Sequence, residues 1–227
     1  METDRYGTTT WYNANKKIHR DNDLPAIEHA DGSKYWYVNG KLHRDNDLPA
    51  YEYDAKEIKE WWINGKRHRD NNLHAVISKK YGRREWWIND YLHRDNDLPA
   101  IEKSQGNEWY MNGMRHRDND LPAFEGICGN KIWYNNNKLH RLGGLPAAEY
   151  ANGHKVWYIY GKYHTYEQII NYYQTLSRFG RYCLKKIRMR KLRRLRWIHG
   201  ELLCMPVKGS YLGGQDYHKM VNYFMSM

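Results

Sequence analysis

Large apolar residues come in short runs separated by polar turns, and over most of the chain no run reaches the length of a helix. A Trp is followed by a second aromatic, one further residue, Asn-Gly, and then Lys-x-His-Arg. Asp-Asn-Asp, Leu-Pro-Ala, one residue and Glu complete the unit, with Trp36 to Glu52 the cleanest example. His-Arg stands at His19, His43, His68, His93, His116 and His140, and a seventh, imperfect copy carries His164-Thr165, at spacings of 23 to 25 residues. A fixed period of this size predicts an array of stacked supersecondary units.

Each unit reads as short strands joined by tight turns. Asn15, Asn39, Asn64, Asn89, Asn112 and Asn136 form one column, with Tyr160 in the last copy. Gly40, Gly65, Gly113 and Gly161 follow, with Asp90 or Asn137 in two copies and Lys16 departing in the first. Such pairs tolerate positive φ and predict two-residue type I′ hairpin turns. Asp-Asn-Asp-Leu-Pro-Ala reads as a second turn in which Pro ends one strand, and Asp31-Gly32 and Asn152-Gly153 as a third. The expected fold is therefore mainly β: an antiparallel meander over residues 1–164, followed by a small helical region over 165–227.

A turn at Asn39-Gly40 sets Val38 opposite Lys41, Tyr37 opposite Leu42 and Trp36 opposite His43. Alternation then puts Trp36, Trp61, Trp86, Trp109, Trp133 and Trp157 on one face. Tyr37, Trp62, Trp87, Tyr110, Tyr134 and Tyr158 fall on the other. One face is expected to pack against the Leu-Pro-Ala loops. The second needs cover from a neighbouring coil, another protomer or a ligand, so these six residues are candidates for self-association, most simply as a homodimer.

Charge separates the two regions. The net charge is +11, but residues 165–227 hold 12 Lys+Arg against 3 Asp+Glu, whereas the repeats hold 25 against 23. Thr165-Tyr166-Glu167-Gln168 has the form of a capping box, and Tyr166, Ile169, Ile170, Tyr173 and Leu176 recur at helical spacing. This helix is expected to cap the array. After Gly180, a second helix is expected over 181–198, with a short one near Asp216–Phe224. Arg178, Arg181, Lys185, Lys186, Arg188, Arg190, Lys191, Arg193, Arg194 and Arg196 lie in one stretch without an acid. Leu184, Ile187, Leu192, Leu195 and Ile198 supply an apolar stripe. Ten like charges repel unless an anion screens them, which points to nucleic acid bound through phosphates. An acidic protein, anionic lipid and a merely solvated face are the other readings.

No chemistry of catalysis emerges. His-Arg-Asp occurs in kinase catalytic loops, but here it recurs five times without a Gly-rich loop or Asp-Phe-Gly. One His per copy, roughly 10 Å from the next, does not gather around a metal ion. The Arg after each His is expected to pair with Asp in the neighbouring loops. At Arg141 the sequence turns to Leu-Gly-Gly-Leu, so that partner is expected to be missing. Cys128, Cys183 and Cys204 show no zinc spacing and suit reduced thiols. No run of about 18 apolar residues is present, and Met1 to Arg5 has no signal-peptide character. The expectation is a non-enzymatic protein without metal or cofactor.

The copies resemble MORN-type repeats, aromatic-rich hairpins of about two dozen residues with Trp or Tyr shortly before Asn-Gly. The His-Arg and Leu-Pro-Ala elements are similar to repeat proteins of giant DNA viruses of the marseillevirus type, over roughly residues 10–164. Residues Leu192 to Phe224 look like tails of such proteins. The resemblance implies the fold and a viral scaffold or adaptor in the host cytoplasm, viral factory, nucleus or virion, with viral or host protein partners. The alternative is a virion or membrane-associated structural protein whose tail docks on lipid or an acidic protein.

Overall fold

A computed structural model of the chain describes residues 1–176. It is an antiparallel meander, as the alternation predicts. Fifteen strands, from Glu2–Thr3 to Lys162–His164, form one sheet almost in chain order. Five small hairpins interrupt that order, the first pairing Tyr37–Val38 with Lys41–Leu42 and the last Tyr134–Asn135 with Lys138–Leu139. The expected register is observed, with Tyr37 opposite Leu42 and Val38 opposite Lys41.

In the second to sixth copies the chain passes from sheet to hairpin at the first Trp. Lys34–Tyr35 belong to the large sheet and Tyr37–Val38 to the hairpin. Between them, the Trp36 N–H donates to the Ala50 carbonyl at 2.8 Å, and the Trp36 carbonyl accepts from the His43 N–H at 3.0 Å. This crossing breaks strict alternation: Trp36 is 6% exposed, whereas Val38, two residues on, is 37% exposed.

Two turns per copy use the left-handed region. Asn39 and Gly40 have φ of 51° and 82°, as a type I′ turn requires. The first copy solves the problem differently. Only Lys16 is left-handed there, and the Asn13 carboxamide oxygen accepts from the N–H groups of Asn15 and Lys17. The second turn also proves to be a primed turn. Asn46 and Asp47 both have positive φ, and the Leu48 N–H donates to the Asp45 carbonyl at 3.2 Å. Gly143 and Gly144, both at φ 74°, occupy the same two positions in the sixth copy. Leu-Gly-Gly-Leu therefore preserves the turn rather than breaking it.

The core is built from tryptophan and alanine. Trp36, Trp61, Trp86, Trp109 and Trp133 are 5–8% exposed, and Ala26, Ala50, Ala75, Ala100, Ala123 and Ala147 are fully buried. His74, in the position of Pro, sits edge-on between Trp61 and Trp86, at 5.8 and 5.9 Å. Burial first, and then the neighbouring Arg69, hold its pKa below the ordinary value.

Side chains tie each copy to the one before. The Trp61 indole N–H donates to the Asp47 carbonyl at 2.9 Å, and Trp36, Trp86, Trp109 and Trp133 repeat this bond one copy apart. Arg44 grips the Asp23 carboxylate with two bonds of 2.8 Å, and Arg69, Arg117 and Arg141 hold Asp47, Asp97 and Asp120 in the same way. Each of these guanidinium groups also lies 3.7–3.9 Å from the ring centroid of its own copy's Trp. Arg44 and Arg69 draw the carboxyls of Asp23 and Asp47 below their usual range by hydrogen bonding. Those aspartates are about half exposed, so each ion pair contributes about 1 kcal/mol or less, and the stacking on Trp a similar amount.

The partner of Arg141 is therefore not missing, contrary to the sequence expectation, because the acid comes from the preceding copy. Gly144 removes the acid only for a seventh arginine, and the seventh copy has Thr165 there. Histidine completes the link. The His43 Nδ1 accepts from the Asn64 N–H of the next hairpin at 3.2 Å, and Nε2 lies 3.0 Å from Asp45. The ring is thereby set as the Nε2–H tautomer.

The described chain divides into two compact units, Met1–Arg141 with Pro146–Tyr163, and Leu142–Leu145 with the residues from His164 on. In the second, residues 166–176 are helical. The capping box is formed: the Gln168 N–H donates to Thr165 Oγ1 at 3.2 Å, and the Thr165 N–H to Gln168 Oε1 at 2.9 Å. Ile169 is buried, whereas Tyr166, expected on the same face, is exposed. Among the described residues no helix is long and apolar enough to cross a membrane.

Candidate functional site

The second aromatic of each copy lies in the small hairpin. Tyr37, Trp62, Trp87, Tyr110, Tyr134 and Tyr158 recur at equivalent positions, and each is half-buried. Opposite the first five, the hairpins place Leu42, Arg67, Leu92, Arg115 and Leu139 in turn. The two arginines fill the spaces between rings. Arg67 is 4.7 Å from the centroids of both Trp62 and Trp87. Arg115 is 5.3 Å from Tyr110 and 4.9 Å from Tyr134. Part of the cover that this column needs thus comes from the chain itself.

Carboxylates anchor the column from below. Glu60 accepts from the Trp62 indole and from Arg67, each at 3.0 Å. Glu85, 7% exposed, accepts from the Trp87 indole at 2.6 Å and from Arg83. Glu108, 3% exposed, accepts from Lys103, Arg115 and the Tyr110 hydroxyl. Burial pushes the Glu108 carboxyl up, but Lys103 and Arg115 outweigh it, and the group ends below its ordinary range. Burial and then the Glu108 charge raise the Tyr110 phenol. The phenol stays neutral and its hydroxyl remains a donor.

These glutamates and arginines are not assigned any role by the hydrophobic pattern. Their signal is nonetheless in the chain, as Glu60-Trp61-Trp62, Glu85-Trp86-Trp87 and Glu108-Trp109-Tyr110. On the opposite face of the large sheet, charges alternate across strands: Lys34, Glu52 and Lys59 are successive partners, as are Glu125, Lys131, Glu149 and Lys155. Opposite charges directly across a ladder stabilise the pairing. The repeat body thus matches most of its own charge.

The ten basic residues from Arg178 to Arg196, the helix expected over 181–198 and the one near 216–224 lie outside the described residues. Of the histidines weighed above as metal ligands, His19, His43, His68 and His93 are each committed to their own copy's Asp and the next copy's hairpin. Compared with protein-family models, the sequence matches none, and no curated protein matches it.

Proposed function

We propose that this chain is a non-enzymatic repeat scaffold, of the MORN-like giant-virus type its sequence resembles. Its repeats associate with a second copy through the aromatic column. Its C-terminal region binds nucleic acid through phosphates, without sequence choice. The observation that carries the reading is the partition of charge. The body pairs its arginines internally, while the last 63 residues hold nearly all of the excess over neutrality. A stretch of ten basic residues with no acid among them calls for an external polyanion.

A gel-shift titration at two salt concentrations tests this. With about six phosphates contacted, log K falls against log salt with a slope of about −5 for duplex DNA. In the full chain, replacing Arg190, Arg193, Arg194 and Arg196 by Ala lowers the slope to about −2 and weakens unrelated sequences equally. Replacement by Lys costs less, because a point charge suffices for phosphate. Absence of a shift by wild type at low salt would remove the nucleic-acid role. The apolar stripe of Leu184, Ile187, Leu192, Leu195 and Ile198 then favours docking on anionic lipid or an acidic protein, in a virion or at a membrane.

Self-association is read separately. Light scattering is expected to give the mass of a dimer, with Tyr134→Ser weakening it at least tenfold while the β-sheet circular dichroism persists. A monomer at tens of micromolar discards the column as a contact surface.

A further inference from the structure

Each copy from the second to the sixth grips one residue of the copy before it. The Trp36 indole N–H donates to the Asp23 carbonyl, and Arg44 donates to the carboxylate of the same Asp23 through Nε and Nη2. Asp23 sits in the left-handed region, at φ 54°. Trp61 with Arg69, Trp109 with Arg117 and Trp133 with Arg141 hold Asp47, Asp97 and Asp120 alike. Trp86 with Arg94 holds Asn72, with a single bond to the carboxamide.

The first copy carries the same pair, Trp11 and Arg20, in the same pose. Arg20 lies 3.8 Å from the Trp11 ring centroid, and its Nη1 donates to the Pro25 carbonyl and to Glu28. Arg44 makes the matching bond to Pro49 from its own Nη1. The other side of the guanidinium differs. Among the described residues the Arg20 Nε and Nη2 and the Trp11 indole N–H have no acceptor. The Arg20 side chain is 25% exposed, against 12–14% for Arg44, Arg69, Arg94, Arg117 and Arg141. The hairpin of the same copy is not left open in this way. There the Asn13 carboxamide accepts from the Asn15 N–H, the group that in later copies reaches the preceding histidine. The first copy thus closes one of its two links by itself and leaves the other unfilled.

We infer that Trp11 and Arg20 form a docking site for an aspartate in a tight turn of a separate polypeptide, with the indole on its carbonyl and the guanidinium on its carboxylate. The same pair at five other places in the chain identifies the occupant. The described turns of a second copy do not offer it. Asp23, Asp47, Asp97 and Asp120 are already gripped, and Gly144 stands at that position in the sixth copy. The partner is therefore a different protein that presents an ungripped Asn-Asp turn. The stack on Trp11 and the anchored Nη1 hold the guanidinium fork in place before binding, so little side-chain freedom is lost. The inference rests neither on the aromatic column nor on the C-terminal region.

Two-dimensional NMR of the isotope-labelled full chain decides it by following the indole N–H resonances, with Trp11→Phe identifying that of Trp11. The probe is the peptide of residues 43–51, cyclised so that its Asp45-Asn46-Asp47-Leu48 turn is populated. At millimolar peptide the Trp11 resonance is expected to shift. Those of Trp36, Trp61 and Trp133, whose indoles are already bonded, stay in place. Replacing Asp47 of the peptide by Asn weakens binding about 3- to 5-fold, as much as an exposed bidentate ion pair gives. Arg20→Lys in the protein costs about the same, since it keeps the charge and loses the fork, and an unchanged Trp36 resonance shows the fold intact. A Trp11 resonance that does not move overturns the inference, as does equal affinity of the two peptides or of the two proteins. So does an equal shift with acetate at the same concentration, which would make the pair a general anion site.

Discussion

Replacing Trp86 by Ala is expected to cost about 3–5 kcal/mol, the range for removing a large buried aromatic. The ring is 5% exposed in the middle of the array, its indole donates to the Asn72 carbonyl at 2.9 Å, and Arg94 stacks on it at 3.6 Å. These contributions belong to one cluster and do not add independently. Such a loss is a large share of the 5–15 kcal/mol that holds a typical domain folded. It also falls between neighbours, where an array keeps its cooperativity, so urea unfolding should change from one transition to two. Trp11→Ala is the comparison. Trp11 is only half-buried in the first copy, so about 1–2 kcal/mol is expected from its partial burial. Equal losses at both positions would mean that contact between copies does not carry the stability.

Gly106→Ala is the second large effect, expected at about 3 kcal/mol or more, in the range reserved for strained or clashing sites. Gly106 has φ of 140°, outside what a side chain tolerates. An added Cβ would run into the Glu125 carbonyl oxygen and come within 2.6 Å of the Gly126 Cα. Both belong to the strand that pairs with it, with Gly106 opposite Gly126. Backbone atoms cannot step aside as a flexible side chain does, so the pairing must open locally. Gly32→Ala supplies the reference: its φ is 86° but nothing lies within 4 Å of the new atom, so only about 1 kcal/mol of backbone strain is expected. Thermal unfolding of the two variants separates clash from strain. A G106A midpoint no lower than that of G32A would contradict the close approach.

The register of the hairpins could be read directly, because Asn39-Gly40 admits one kind of turn and that turn aligns Tyr37 with Leu42. The capping box at Thr165 and Gln168 was equally readable, since it needs only local geometry. The crossing at Trp36 was not. Alternation assumes a continuous strand, and the break arises because the backbone of one residue bonds to two different sheets. The second primed turn was missed because Asp and Asn tolerate positive φ without demanding it. Gly143-Gly144 is the one copy whose residues favour positive φ at both positions. The acid that holds Arg141 is hidden for a related reason: it is not in the residues that follow the arginine but 21 residues back, at Asp120 of the preceding copy. Within the candidate site the aromatic column was visible from its period. The buried Glu85 and Glu108 were not, since charged residues at alternating positions normally mark a solvated face.

The side-chain links of the Trp and Arg columns run in one direction. An indole and a guanidinium reach toward the turn made by earlier residues. Contacts in the other direction come from the histidine rings, which accept the next hairpin's N–H, and from Arg67 and Arg115, which lie over Trp87 and Tyr134 of the following copies. A chain emerging from the ribosome N-terminus first therefore meets a finished docking surface each time another copy is completed, at intervals of roughly one to five seconds for two dozen residues. Growth can proceed as a zipper, with no copy waiting for a distant segment to be made.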